Sequence, residues 1–159
     1  RIQVEHPVTE MVTGLDLVQQ QIRIAAGEAL GLRQRDVLQR GCAIECRINA
    51  EDPASDFRPS PGRLEKFCVP GGPGVRVDTL AYAGYRIPPF YDSLVAKLVV
   101  WGEDREKALV RMRHALDNYE LTGIKNNIPF LRKAFNSGIF KSGNYDTHFI
   151  SKLKEAKND

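Results

Sequence analysis

From Cys42 to Asn49 the chain alternates, with Cys42, Ile44, Cys46 and Ile48 on one side and Ala43, Glu45, Arg47 and Asn49 on the other. A period of two predicts a strand buried on one face. Leu94–Trp101 is an apolar run long enough for a central strand, and Asp104 is placed to cap a helix of about 13 residues after it. In that helix Ala108, Leu109, Met112, Ala115 and Leu116 form the buried stripe, and most of the charges lie outside it. A second helical stripe, Leu15, Val18, Ile22 and Ala25, predicts a helix over 15–26, with Gly27 ending it. Residues 33–40 read as a polar linker with a short turn of helix. The prolines and glycine of 51–62 predict a loop, and short strands follow at 62–69 and 75–78 around Pro70-Gly-Gly-Pro-Gly74. A strand near 119–122 and helices near 127–136 and 147–154 complete the order, and the polar tail 155–159 is expected to fray.

The first ten residues, R-I-Q-V-E-H-P-V-T-E, read as one more strand. It would put Arg1, Gln3 and Glu5 on one side and Ile2 and Val4 on the other, with the polar groups spread over about 13 Å. Pro7 would stop the ladder and keep His6 extended. A guanidinium fork, an amide and a carboxylate in one row suit a small planar anion and the removal of a proton from it. The same spacing also suits the wet face of a half-buried strand, and on spacing alone both readings stand.

Composition narrows the class. A chain of 159 residues with 42% hydrophobic and 27% charged positions can fold around one core. A net charge of +3, with acids and bases interspersed, offers no electrostatic case for nucleic acid or a membrane surface. No apolar run approaches the roughly 20 residues that cross a bilayer. Cys42, Cys46 and Cys68 are an odd set without a Cys-x-x-Cys pair, so they read as small buried hydrophobes of a reducing, cytoplasmic protein. His114 and His148 read as structural. A chain that opens on Arg1 in mid-strand is expected to be part of a longer protein. Strands and helices without regular alternation predict an α+β fold with a mostly antiparallel sheet and flanking helices.

The opening decapeptide resembles the bicarbonate-binding signature of biotin carboxylases, the ATP-grasp enzymes that carboxylate the ureido nitrogen of biotin. The resemblance continues through A-I-E-C-R-I-N-A-E-D-P (43–53), P-S-P-G (59–62), Y-A-G-Y (82–85), P-P-F-Y-D-S-L-V-A-K-L (88–98) and G-I-K-N-N (123–127). It implies that residues 1–30 are the end of an ATP-grasp domain, its bicarbonate-binding strand and following helix, and that 31–159 are the biotin carboxylase C-terminal domain. It assigns Glu5 as the base that deprotonates bicarbonate and Arg1 as the arginine that binds the anion. Gln3 and the backbone amide of Val4 are the remaining bicarbonate donors, and Arg47 is the cation that stabilises the biotin enolate. Asp92 is a second-rank residue for orienting an arginine, against a plain turn cap. His6 would support the row by a hydrogen bond. Arg76, beside the Pro-Gly-Gly-Pro-Gly turn, matches an arginine of the family's homodimer contact, although Pro73 departs from the aromatic that some members carry.

What the resemblance leaves out is as informative. No segment resembles the lid, lysines or adenine pocket that hold ATP, and the family's Mg²⁺ (or Mn²⁺) carboxylates lie upstream of Arg1. Biotin on a biotin carboxyl carrier protein would be the substrate, with carboxyltransferase subunits as further partners. The implied parent is the biotin carboxylase subunit of an acetyl-CoA carboxylase in fatty acid synthesis. Alternatives are the same part of a pyruvate, propionyl-CoA or methylcrotonyl-CoA carboxylase, a different ATP-grasp ligase, and a non-catalytic dimerisation or carrier-docking module. The different ligase is disfavoured because it would have no enolate for Arg47 to meet.

Overall fold

The computed structural model describes residues 1–155; the predicted fraying of the tail falls on residues outside this range, save for Glu155 itself. The elements are α1 (Pro7–Thr13), α2 (Leu17–Ala25), β1 (Cys42–Asn49), β2 (Glu51–Asp52), β3 (Arg58–Pro59), β4 (Gly62–Arg63), β5 (Phe67–Cys68), β6 (Val75–Thr79), β7 (Arg86–Ile87), β8 (Leu94–Gly102), α3 (Arg105–Asp117), β9 (Glu120–Leu121), α4 (Ile128–Asn136), α5 (Gly138–Ser142) and α6 (Phe149–Glu155). Single 3₁₀ turns occur at Gln34–Asp36 and Pro53–Ser55. Every strand pairing is antiparallel: a three-stranded sheet in the order β1-β8-β6, and the pairs β2-β3, β4-β7 and β5-β9. The fold is therefore α+β, as the patterning predicts.

The central sheet has two unlike faces, set by the alternation of its strands. Ile44, Cys46 and Ile48 of β1 share a face with Val100, Leu98 and Ala96 of β8 and with Val75 and Val77 of β6. α3 packs on this side, where Met112 is fully buried and its sulfur lies 3.6 Å from the Cys46 thiol. Asp104 caps α3 through the amide of Lys107 at 2.8 Å, and the five predicted stripe residues are its five buried ones. The other face carries Glu45 and Arg47 of β1, Lys97 of β8, and Arg76 and Asp78 of β6. α1 lies across β1 and β8 on this side.

Four expectations require correction. Residues 1–6 pair with no strand among the described residues. Pro7 occupies the first helical position, where its fixed φ suits the helix and its missing N–H costs nothing, and His6 adopts helical angles (φ −67°, ψ −16°) instead of extended ones. The predicted helix over 15–26 does form, as α2, with Val18 and Ile22 of its stripe 53% and 65% exposed. The 62–69 segment breaks into β4 and β5, which pair with β7 and β9, so the Pro-Gly-Gly-Pro-Gly turn joins strands of different sheets. The 51–62 loop contains the β2-β3 pair. Of the cysteines only Cys46 is a buried hydrophobe, its thiol pKa pushed up by burial; Cys42 is half-buried and Cys68 exposed, and all three are free. In addition, α5 has no counterpart in the periodicity of the chain.

The turn at Gly123 positions the start of α4. Its φ of +94° is left-handed, and a Cβ there would stand 2.3 Å from the Arg63 carbonyl oxygen and 2.7 Å from the Glu65 nitrogen. Both are backbone atoms, which cannot swing away. Gly123→Ala is therefore expected to cost about 2 kcal/mol or more from backbone strain and overlap together, read as a lowered midpoint in denaturant unfolding.

Candidate functional site

The charged face of the sheet is organised by register. Arg47, Lys97 and Asp78 stand side by side across β1, β8 and β6, and Glu45, Val99 and Arg76 form the next row. Opposite-charge neighbours at this spacing attract. Lys97 Nζ lies 3.2 Å from Asp78 Oδ2, and Arg76 grips Asp78 with two donors at 2.7 and 2.9 Å. Arg76 also reaches Glu10 of α1 at 2.6 Å, while the other oxygen of Glu10 accepts from the Leu17 amide at the start of α2. Glu10 and Arg76 thus fasten the opening helices to the sheet. Burial raises the Asp78 carboxyl, but the hydrogen bonds from Arg76 and Lys97 outweigh it and hold the pKa below the usual value. The Arg76 guanidinium is held above its ordinary value, first by Asp78.

Glu5 comes over this face. Its Oε2 lies 3.5 Å from a terminal nitrogen of Arg47, so the structure brings together two residues that are 42 positions apart. Both side chains are more than half exposed, and a long exposed pair of this kind contributes little to stability. Its value is positional. Beneath it, Glu45 is half-buried with Oε2 lacking a hydrogen-bond partner among the described residues. Burial pushes the Glu45 carboxyl up, and the charges of Lys97 and Arg47 pull it back in part.

The opening turn holds the remaining predicted residues. The Gln3 amide donates to His6 Nδ1 at 2.7 Å and the Gln3 carbonyl accepts from the His6 amide at 3.2 Å, so His6 supports the row by hydrogen bonding, as expected. The alternation of exposure survives although the strand does not: Arg1, Gln3 and Glu5 are exposed, and Ile2 and Val4 half-buried. Among the described residues the Arg1 guanidinium, the Gln3 side-chain amide and the Val4 N–H have no hydrogen-bond partner. They are donors available to an anion. Among the described residues Asp92 accepts a hydrogen bond only from the Ser93 hydroxyl, at 3.5 Å, and none from an arginine. It lies in the wall of a cleft of about 450 Å³ that also includes Lys97 and Asp78.

Sequence reasoning assigned no role to Asn127, Glu51 or Ser93. Glu51 accepts from Asn49 Nδ2 at 3.1 Å and from the Ser93 hydroxyl, tying the end of β1 to the start of β8. G-I-K-N-N stood among the resembling blocks, but an asparagine in a polar stretch carries no periodicity to mark it. Among the described residues no group of three or more His, Cys, Asp or Glu is gathered to hold a metal ion. No helix among them is long and apolar enough to cross a membrane.

Known proteins place this geometry in a family. Residues 45–152 match the biotin carboxylase C-terminal domain, and residues 1–33 match the ATP-binding domain of the carbamoyl-phosphate synthase L chain. The chain is 55% identical to the biotin carboxylase of Nostoc sp. over 98% of its own length and 35% of that protein. It is 52% identical to a pyruvate carboxylase subunit of Methanothermobacter thermautotrophicus over 97% of its length and 31% of that protein. Its structure is similar to that of the biotin carboxylase domain dimer of Hydrogenobacter thermophilus 2-oxoglutarate carboxylase, a complex with MgADP, ADP and bicarbonate. The TM-score is 0.95 at 51% identity, over 98% of this chain and 34% of that one. The chain spans about a third of the length of the relatives it matches. A sheet with one apolar and one charged face, an opening turn brought over the charged side, and agreement along nearly the whole chain lead to one assignment: the chain belongs to the biotin carboxylases, most of it their C-terminal domain and its first residues the end of their ATP-binding domain.

Proposed function

We propose that this chain is the C-terminal part of an enzyme that uses ATP and bicarbonate to carboxylate the ureido nitrogen of carrier-bound biotin. The observation that carries the reading is the approach of Glu5 to Arg47 at 3.5 Å, together with donors on Arg1, Gln3 and Val4 that have no hydrogen-bond partner among the described residues. In this reading the donors orient bicarbonate and Glu5 takes its proton. The carbonate formed attacks the γ-phosphate of ATP, which the rest of the parent protein would hold with its metal ion, and displaces ADP to give carboxyphosphate. This passes its carboxyl group to the ureido nitrogen, and the phosphate released accepts the ureido proton. Arg47 then faces the oxygen on which charge appears as the ureido nitrogen is deprotonated, a fixed cation where charge develops. Asp92 is the weaker member, an acid in the cleft wall beside Lys97. The division of labour falls near residue 30, with the anion site before it and the enolate cation after it.

The biotin carboxyl carrier protein and carboxyltransferase subunits are the proposed partners. A homodimer is the proposed state of the parent, in line with the dimer of the Hydrogenobacter thermophilus domain. Acetyl-CoA is the proposed final acceptor. A keto acid is the second reading, favoured by relatives 52% identical in a pyruvate carboxylase and 53% identical in a 2-oxoglutarate carboxylase. The test is turnover. The full-length protein should carboxylate biotin in the presence of ATP and bicarbonate, whereas residues 1–159 alone should neither hydrolyse ATP nor carboxylate biotin. Bicarbonate-dependent ATP hydrolysis by the isolated segment, or no carboxybiotin from the full-length protein, would overturn the reading. Reconstitution with each class of carboxyltransferase distinguishes the acceptors.

A further inference from the structure

Asn127 is the only polar or charged residue in the buried set among the described residues, at 7% exposure. A buried amide must find partners, and every one it finds on another element lies in β1. Its Oδ1 accepts from the Asn49 amide at 2.9 Å and its Nδ2 donates to the Arg47 carbonyl at 2.9 Å. Its backbone N–H donates to the Asn49 carbonyl at 3.2 Å. β1 is the outer strand of β1-β8-β6, and residues two apart on a strand direct their N–H and C=O groups to the same edge. Arg47 and Asn49 therefore offer an unpaired edge, and the carboxamide satisfies it as a neighbouring strand would. Here the ladder is also irregular: Ile48 pairs with Ala96 but Asn49 with Leu94, a shift that passes over Val95 and lies between the two residues the carboxamide holds, at the end of β1.

Asn127 is itself held in place. It opens α4, where its carbonyl accepts from the Leu131 amide at 3.0 Å, and Ile128 beside it is buried. Asn126 donates to the Leu121 carbonyl and accepts from the Ile128 amide, both at 3.1 Å. The Lys125 amide reaches the Ser60 hydroxyl at 3.1 Å.

We propose that Asn127 is the positioning residue for Arg47, clamping its carbonyl so that the guanidinium stands opposite Glu5. It touches the backbone of Arg47 and not the reacting groups. The inference rests on the reading of Arg47 given above and adds the element that aims it.

The test uses the full-length protein with ATP, bicarbonate and biotin. Asn127→Ala should lower kcat for biotin carboxylation on the order of tenfold or more, because small misplacements of an oriented group are costly. ATP cleavage that depends on bicarbonate but not on biotin should stay within about twofold, because in this account that step does not draw on Arg47. In an Arg47→Lys background the same substitution should cost less than about threefold, since a flexible lysine stem depends less on where its backbone is held. Equal factors in both backgrounds would mean a general structural role, and unchanged carboxylation would mean none; either overturns the proposal. Should Asn127→Ala fail to fold, Asn127→Asp keeps the size and the acceptor for Asn49 but turns an oxygen toward the Arg47 carbonyl, and the same outcomes are expected of it. Failure of both to fold makes the amide a folding determinant and overturns the positioning role. A wild-type protein that makes no carboxybiotin refutes instead the reading on which this rests.

Discussion

Arg47→Ala in the full-length protein is expected to lower biotin carboxylation on the order of 100- to 1,000-fold while the protein stays folded. The size follows from the task. Removing one fixed donor aimed at the oxygen where charge develops typically costs a reaction this factor. The folded state loses little, because the Arg47–Glu5 contact is 3.5 Å long between side chains 54% and 56% exposed. Bicarbonate-dependent ATP cleavage without biotin should survive, since in the proposed mechanism carboxyphosphate formation draws on the anion donors and Glu5. Carboxybiotin formation and phosphate release, followed side by side, separate the two steps. Loss of both in equal measure would show that Arg47 serves the anion as much as the enolate.

Glu5→Gln is the complementary case. Glutamine keeps the length and a hydrogen-bonding head but cannot take a proton, so the change isolates the proposed role of Glu5 as base. A positioned general base contributes roughly 100- to 10,000-fold, and that factor is expected to disappear from carboxylation and from bicarbonate-dependent ATP cleavage together. Unfolding midpoints should be nearly unchanged, because Glu5 is exposed and its only side-chain partner among the described residues is Arg47. Full activity of this variant would remove Glu5 from the chemistry.

Where a period extends over many residues, the fold was legible in the chain. β1 and α3 are clear because each repeats its period over eight or more residues, and α3 has its capping aspartate. The apolar run of β8 marks the strand that pairs on both sides. The opening segment misled because alternating exposure exists there without a strand; Pro7 suits a ladder's end and a helix's first turn equally. α2 was legible from its stripe, although Val18 and Ile22 of that stripe are exposed. α5 is five residues long, too short for a period to register.

The site divides along the same line. Glu5 and Arg47 were singled out by motif, yet no local pattern predicts a contact between residues 42 positions apart. Arg76 was noted for the family's dimer, and the structure adds an intramolecular duty, the bridge from Glu10 to Asp78. Asn127 was invisible because its role depends on an unpaired strand edge, which exists only once β1 has taken the outer place in its sheet.

The central claim is that two steps of one reaction meet on the charged face of this sheet, with Glu5 serving the first and Arg47 the second. Its most direct test is the ratio of carboxybiotin formed to ATP cleaved, measured with saturating bicarbonate for the Glu5→Gln and Arg47→Ala variants of the full-length protein. The account predicts that Arg47→Ala collapses this ratio while ATP cleavage continues, and that Glu5→Gln silences both activities. Continued ATP cleavage in Glu5→Gln, or an unchanged ratio in Arg47→Ala, would contradict it.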